Sequence, residues 1–128
     1  MTWYGPDAGS VAPRGDHPSY GGPIALLASS VTAGAAEDLL AAFRATGRGV
    51  IIGEASAGSV GDVATFALPK NWGVQFSVTR HAFPDGTEYA GLGVKPDLLV
   101  TPTVDDLLAG NDPMLDRARE YLKGGGGR

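Results

Sequence analysis

The stretch that decides the fold is Ile24–Gly61, IALLASSVTAGAAEDLLAAFRATGRGVIIGEASAGSVG, which reads as strand, turn, helix, turn, strand and a loop of small residues. Ile24 to Ala28 is an apolar run with the length of a buried strand. Ser29, Ser30, Val31 and Thr32 carry the chain off its end, and Thr32 is the expected helix N-cap. Glu37 and Asp38 then stand in the first turn, where the positive end of the helix dipole favours them. Ala36, Leu39, Leu40 and Phe43 recur at helical spacing and predict one apolar face. Thr46-Gly47-Arg48-Gly49 stops the helix, since glycine enters the left-handed C-terminal conformation freely. Val50 to Ile52 is the second buried strand, and Gly53-Glu54 leaves it. A βαβ unit of this kind implies parallel strands and a right-handed crossover. It brings the strand-to-helix turn beside the second strand's exit, at the carboxyl ends where α/β proteins keep their sites.

Composition narrows the function classes. The 128 residues form one domain or part of one, and an apolar content of 43% can bury a core of modest size. A formal charge of -4 and an isoelectric point near 4.9 argue against nucleic acid or an anionic membrane as a partner. No apolar run reaches transmembrane length, the N-terminus lacks a signal-peptide pattern, and nothing selects a compartment. With no cysteine, disulfides, thiolate catalysis and thiolate metal sites are excluded. The 20 glycines and 9 prolines predict many turns and close backbone approaches rather than long helices.

Residues 1–22 are rich in Gly, Pro, Ser, Asp and Tyr without a sustained period, and read as an extended lead-in that Trp3 and Tyr4 could anchor. Arg14-Gly15-Asp16 matches an integrin-type tripeptide, which chance explains in so turn-rich a stretch. Beyond the central unit, Asp62 to Arg80 predicts a hairpin: a run through Val63, Phe66 and Leu68, a turn over Pro69 to Gly73, and an alternating run from Val74 to Thr79. Phe83-Pro84-Asp85-Gly86 is a tight turn. A glycine-rich passage, Gly91 to Asp97, leads into a short strand from Leu98 to Thr101. Thr103 and Asp106 match a capping box for a short helix ending near Gly110. Asp112 caps a last helix with Pro113 at its first position and Leu115, Ala118 and Leu122 as its expected inner face. Residues 123–128 form a glycine-rich tail without a core residue.

Local patterns of chemistry are sparse. No phosphate-loop lysine motif and no GxGxxG follows a strand. His17 and His81 stand alone, with no ligand set at metal spacing, and His81 reads as a cross-strand or turn residue. Asp85, Glu88, Asp97, Asp105 and Asp106 are scattered among turns and caps, where solvation or capping accounts for most of them. Spacing alone therefore reaches a small α/β domain with a loop-lined edge, and no reaction.

Several motifs together go further. Val31-Thr32-Ala33-Gly34-Ala35-Ala36-Glu37, the helix with Gly47-Arg48, and Val50-Ile51-Ile52-Gly53-Glu54 resemble the core of the C-terminal processing (tail-specific) serine peptidases. Phe83-Pro84-Asp85-Gly86-Thr87, then Gly93-Val94-Lys95-Pro96-Asp97, resemble that family's downstream strand and GVxPD motif. Asp112-Pro113 and the final helix continue the likeness, which covers most of Gly22 to Leu122 in the family's order. The resemblance implies a ClpP/crotonase-like α/β architecture of ββα units, here a partial domain over residues 23–122 with a mixed sheet and about three helices. It also implies peptide-bond hydrolysis by a serine nucleophile, on peptides or unfolded protein C-termini, with no cofactor and no metal.

Carried across residue by residue, the resemblance meets departures. The family's (S/T)ASAxE motif has its nucleophilic serine three residues before the glutamate, and with Glu37 in that place the nucleophile position is Gly34. The amide of Ala35 takes the place of an oxyanion donor at the helix start. The family's lysine base falls on Ser59, after Gly58. A branch resembling tricorn-type and retinoid-binding-protein-like members lacks that lysine and relies on residues elsewhere, including a histidine upstream and an acid near the GVxPD motif. Glu88 is the nearest carboxylate here, although the register suits Ala90 better. Ser30, Thr32, Gly58 and Gly61 fall on the substrate side of the same loops. The hydroxyls of Ser29, Ser30, Thr32, Ser56 and Ser59 read as groups that satisfy turns. The family's upstream portion is not recognisable in residues 1–22. The expectation is a peptidase-family domain without activity of its own, with an unpaired strand edge that favours self-association or a partner segment. Two alternatives remain. One is a non-catalytic peptide-binding module using an edge such as Val74 to Thr79. The other is a crotonase-like acyl-thioester enzyme, for which no adenine or phosphate signature is present.

Overall fold

A computed structural model describes residues 20–125 of the chain. Trp3, Tyr4, the Arg14-Gly15-Asp16 tripeptide and His17 lie outside the described residues. In chain order the elements are β1 (Ala25–Ala28), α1 (Ala35–Thr46), β2 (Val50–Gly53), β3 (Val63–Leu68), β4 (Trp72–Ser77), β5 (Leu98–Leu99), α2 (Val104–Ala109) and α3 (Pro113–Lys123). The apolar run before the central turn pairs with the one after it, Ala25 opposite Val50 through Ala28 opposite Gly53, in parallel. β5 adds to the other edge of β2, also in parallel, giving the order β1-β2-β5. β3 and β4 form an antiparallel hairpin in a sheet of their own. Parallel and antiparallel pairing are thus both present, divided between two sheets rather than mixed in one.

Alternation along β2 sorts the core into two layers, because successive side chains on a strand point to opposite faces. Ile51 packs with Leu40, Ala41 and Phe43 of α1, together with Tyr89 and Val94. Val50 and Ile52 pack with Ala118 of α3, flanked by Tyr121 and Leu98. Ile51 and Ile52 are fully buried, so the central strand is covered on both faces, as its unbroken apolar run predicts.

Helix ends follow the sequence signals at three of four predicted caps. Gly47 ends α1 in the left-handed conformation with φ 60°. Thr103 and Asp106 close a reciprocal capping box on α2, and Asp112 accepts from the Leu115 amide with Pro113 at the first position of α3. The exception is Thr32. The N-cap of α1 is Gly34, with no side-chain cap, while Thr32 Oγ1 accepts from the Ser29 amide at 3.0 Å and tightens the turn before it.

Two helix faces also differ from expectation. α1 buries Glu37, Leu40, Ala41 and Phe43, leaving Ala36 and Leu39 exposed. The helix is rotated toward its acidic first turn because Glu37 has hydrogen-bond partners beneath it. α3 buries Met114 and Ala118, with Tyr121 partly covered, while Leu115 and Leu122 face outward. Both sets recur at helical spacing, and only the position of β1 and β2 selects between them.

Candidate functional site

Three loops meet at the carboxyl ends of β1 and β2. The turn after β1 and the loop after β2 are joined by backbone hydrogen bonds from Ala57 N–H to the Thr32 carbonyl and from Gly34 N–H to the Ser59 carbonyl, both 2.8 Å. At their mouth Ser30 Oγ donates to Glu54 Oε2 at 3.3 Å. The third loop joins through Gly91 N–H to the Gly58 carbonyl at 2.7 Å and through Ser56, whose Oγ accepts from the Val94 amide at 2.7 Å.

Glu37 lies where the three meet. It is fully buried, and its Oε1 accepts from Ser56 Oγ at 2.5 Å and from the Gly58 amide at 2.7 Å. Its Oε2 has no hydrogen-bond partner among the described residues. A buried carboxylate is costly unless hydrogen-bonded, so Glu37 is retained for holding the loop of Ser56 to Ser59 against the helix start. Its role exceeds the dipole contribution that its place in the first turn suggests.

Gly34 itself has φ 64° and ψ -134°, a conformation that L side chains rarely adopt. A Cβ built there meets no atom of the described residues within 4 Å, its two chain neighbours aside. The turn therefore offers space for a side chain but a strained backbone for anything except glycine. Strained strand-to-helix turns are where hydrolases expose a nucleophile. Gly34 and Ala35 line a small cavity of about 190 Å³ with Asp38, Gly61, Asp62 and His81. A larger cavity of about 520 Å³ adjoins the Ser59 side, lined by Gly58, Gly61, Phe76, Thr79 and Ala90 among others.

The residues singled out in the sequence are thus largely assembled. Gly34, Ala35, Ser59, Gly58 and Gly61 line one or both cavities, and Ser30 and Thr32 lie on the turn beside them. Glu88 is set apart. It pairs with Arg80 at the surface, partly exposed, and lines neither cavity, whereas Ala90 lines the larger. Among the described residues no three His, Cys, Asp or Glu side chains are placed to hold a metal ion, and no helix is long and apolar enough to cross a membrane.

His81 is a cross-strand residue, its carbonyl accepting from the Tyr89 amide at 3.3 Å. It is 3% exposed, with Nδ1 2.9 Å from Asp38 Oδ1 and Nε2 3.1 Å from Thr79 Oγ1. Tyr89 hydroxyl donates to the same Asp38 oxygen at 2.9 Å. No short motif signals this cluster, because Asp38 and His81 are separated by 43 residues. Asp97 also ties elements together: its Oδ2 accepts from the Ile51 amide at 2.8 Å and its partly exposed Oδ1 faces Arg44.

Comparison with known proteins identifies the family and the fold. The sequence is 28% identical over 104 residues to a carboxy-terminal-processing protease of Bartonella bacilliformis, a match spanning 80% of this chain and 24% of the relative. It is 33% identical over 82 residues to a chloroplastic C-terminal processing peptidase of Tetradesmus obliquus, spanning 64% of this chain and 18% of that protein. The chain therefore spans about a quarter or less of the length of these relatives. A crystal structure from Parabacteroides merdae shares the fold with a TM-score of 0.75 at 23% identity, over 84% of this chain and 34% of that one. The sequence model of peptidase family S41 matches residues 5–100. The chain belongs to peptidase family S41, the family of the C-terminal processing serine peptidases.

Proposed function

We propose that the chain is a serine-peptidase-family domain, the C-terminal part of a catalytic domain over residues 23–122, in which the family's hydrolysis is silent because glycine stands at the nucleophile position. The observation that carries this reading is the backbone at Gly34: a strained turn into α1 with open space where a side chain would project. The Ala35 amide, at the positive end of the helix, supplies an oxyanion donor. Ser59, in the place of the family's lysine, meets this turn through its carbonyl. Ala90 in the larger cavity and Glu88 outside it leave the branch with an acidic residue without its carboxylate here. Covalent catalysis needs nucleophile, base and oxyanion donors together, and two of the three are wanting.

The names of the relatives point to peptide C-termini as what this surface binds. The test is incubation with unstructured peptides bearing free C-termini, followed by mass spectrometry and by fluorescence polarisation. The expected result is no cleavage at any peptide bond. Turnover by the purified chain would overturn the reading.

A second reading, peptide binding without turnover, is favoured by the hairpin. Every position of β4 is exposed, and β3 and β4 have no third strand among the described residues. Such an edge can accept an extended peptide as an added strand. The acyl-thioester alternative shares the broad fold class but not the family.

A further inference from the structure

Beside the family's nucleophile position runs a line of three polar side chains that are not among the positions carried over from the family's motifs. Thr79 follows β4, lines the larger cavity and lies with Oγ1 3.1 Å from His81 Nε2. His81 is buried behind it, with Nδ1 2.9 Å from Asp38 Oδ1. A carboxylate only accepts, so the neutral ring is assigned its proton on Nδ1 and turns the Nε2 lone pair toward the Thr79 hydroxyl. The Asp62 amide donates to Thr79 Oγ1 at 2.7 Å. That oxygen therefore accepts from Asp62 and directs its own proton to His81. A hydroxyl, an imidazole in reach of it, and a carboxylate orienting the imidazole are the parts of an activated nucleophile.

We propose that Thr79 is the nucleophile and His81 the general base of an acyl-transfer site, with Asp38 as the residue that positions His81. Its substrates are small, neutral acyl esters with good leaving groups, because the cavity that Thr79 faces has no charged side chain in its lining among the described residues. In the acylation step the Thr79 Oγ–H proton passes to His81 Nε2 as Oγ bonds to the acyl carbon. The ester C–O bond then breaks, and the leaving oxygen either takes the proton back from His81 or departs as a phenolate while His81 releases that proton to bulk water, so that His81 is neutral again before the second step. Water repeats the sequence: it gives a proton to His81, bonds to the acyl carbon, and releases the acid as Thr79 Oγ recovers its proton. No oxidant, metal or cofactor enters the balance.

This site does not depend on residue 34. The test is the full chain with p-nitrophenyl acetate, reading p-nitrophenolate release and locating acetyl groups by mass spectrometry. The expected result is a burst of about one p-nitrophenolate per chain, with acetyl on Thr79. Thr79→Val abolishes the burst, and Thr79→Ser is acetylated at the same residue. His81→Gln slows acetylation by roughly 100-fold or more, the usual scale of general-base assistance. Asp38→Asn, which retains the shape but not the charge that orients the ring, loses the burst while the fold persists by circular dichroism, and Asp38→Glu restores part of it. Absence of acetyl on Thr79 in the unaltered chain overturns the proposal, as does a burst that survives Thr79→Val. Equal acetylation rates in a folded His81→Gln chain would do the same. Should the His81 and Asp38 variants fail to fold, the unaltered chain and Thr79→Val decide the matter alone.

Discussion

The β1–α1–β2 unit and the β3–β4 hairpin are built from similar apolar runs, yet they end in opposite environments. Ile51 and Ile52 of β2 are fully buried between α1 and α3. In the hairpin, Phe66, Trp72 and Phe76 are 49%, 72% and 50% exposed, although Phe66 and Phe76 stack at 4.9 Å between ring centroids. The difference lies in coverage rather than in strand propensity. The parallel pair is joined through a helix that folds back over it, whereas a hairpin joined by a short turn brings no cover of its own. Lys70 and Asn71 make that turn at φ 62° and 61°, in the left-handed region. The functional loops sit between the two regions, anchored on the buried one and open toward the exposed one.

Stability measurements can break this comparison, beginning with the largest effect. Ile51→Ala removes side-chain atoms from a fully buried site and should cost about 3 kcal/mol in denaturant unfolding. A loss below about 1 kcal/mol would mean that β2 is not the centre of the core. Gly53→Ala should also be severely destabilising, because φ is 126° and a Cβ would stand 2.0 Å from the Ala28 carbonyl oxygen. Glu37→Ala should cost about 2 kcal/mol by stranding the Ser56 hydroxyl and the Gly58 amide. Its loops should exchange amide hydrogens faster than those of the unaltered chain. In the hairpin, Trp72→Ser should change stability by less than about 1 kcal/mol. It should instead reduce self-association in sedimentation, since it removes an exposed apolar surface. A hairpin variant that unfolds the chain would erase the distinction between the regions.

The smallest effect concerns the α2 cap. The Thr103 side chain and backbone amide donate to Asp106 and hold its carboxyl below the ordinary value of 3.8. A depressed folded value means that the cap's contribution is complete above the ordinary carboxylate range and is lost as pH falls through the folded value. Acid titration of the melting temperature should therefore show a decline below about pH 4 that Asp106→Asn makes shallower, the Asp85 carboxyl, held down by Thr87, contributing to what remains. An identical acid limb in both chains would contradict the assignment.

Much of the frame was legible in the residues because its signals are local. The glycine at position 47, the Thr103 and Asp106 box and the Asp112-Pro113 start each act within one turn of chain. The helix faces were less legible. On α1 two alanines at the start, Ala35 and Ala36, leave the apolar stripe ambiguous, and the first-turn position of Glu37 does not disclose its partners on the loop after β2. On α3 the choice between Met114 and Leu115 belongs to the sheet beneath. At the site, the loop residues could be gathered by resemblance, because the family's order fixes them. The Asp38, His81 and Thr79 line could not, since it exists only once the hairpin exit is brought back over the start of α1.

The central claim is that Gly34 occupies a nucleophile's place in an otherwise ordered turn. It is tested most directly by comparing Gly34→Ser with the unaltered chain, both in a Thr79→Val background, after treatment with a fluorophosphonate. Serine at that backbone should cost about 1–3 kcal/mol in stability. The label gained should lie at residue 34, slow to form because the base is still wanting, and be absent from the glycine chain. If a folded Gly34→Ser chain were labelled at Ser30 or Ser59 instead of residue 34, the nucleophile's place would lie elsewhere and the account would be wrong.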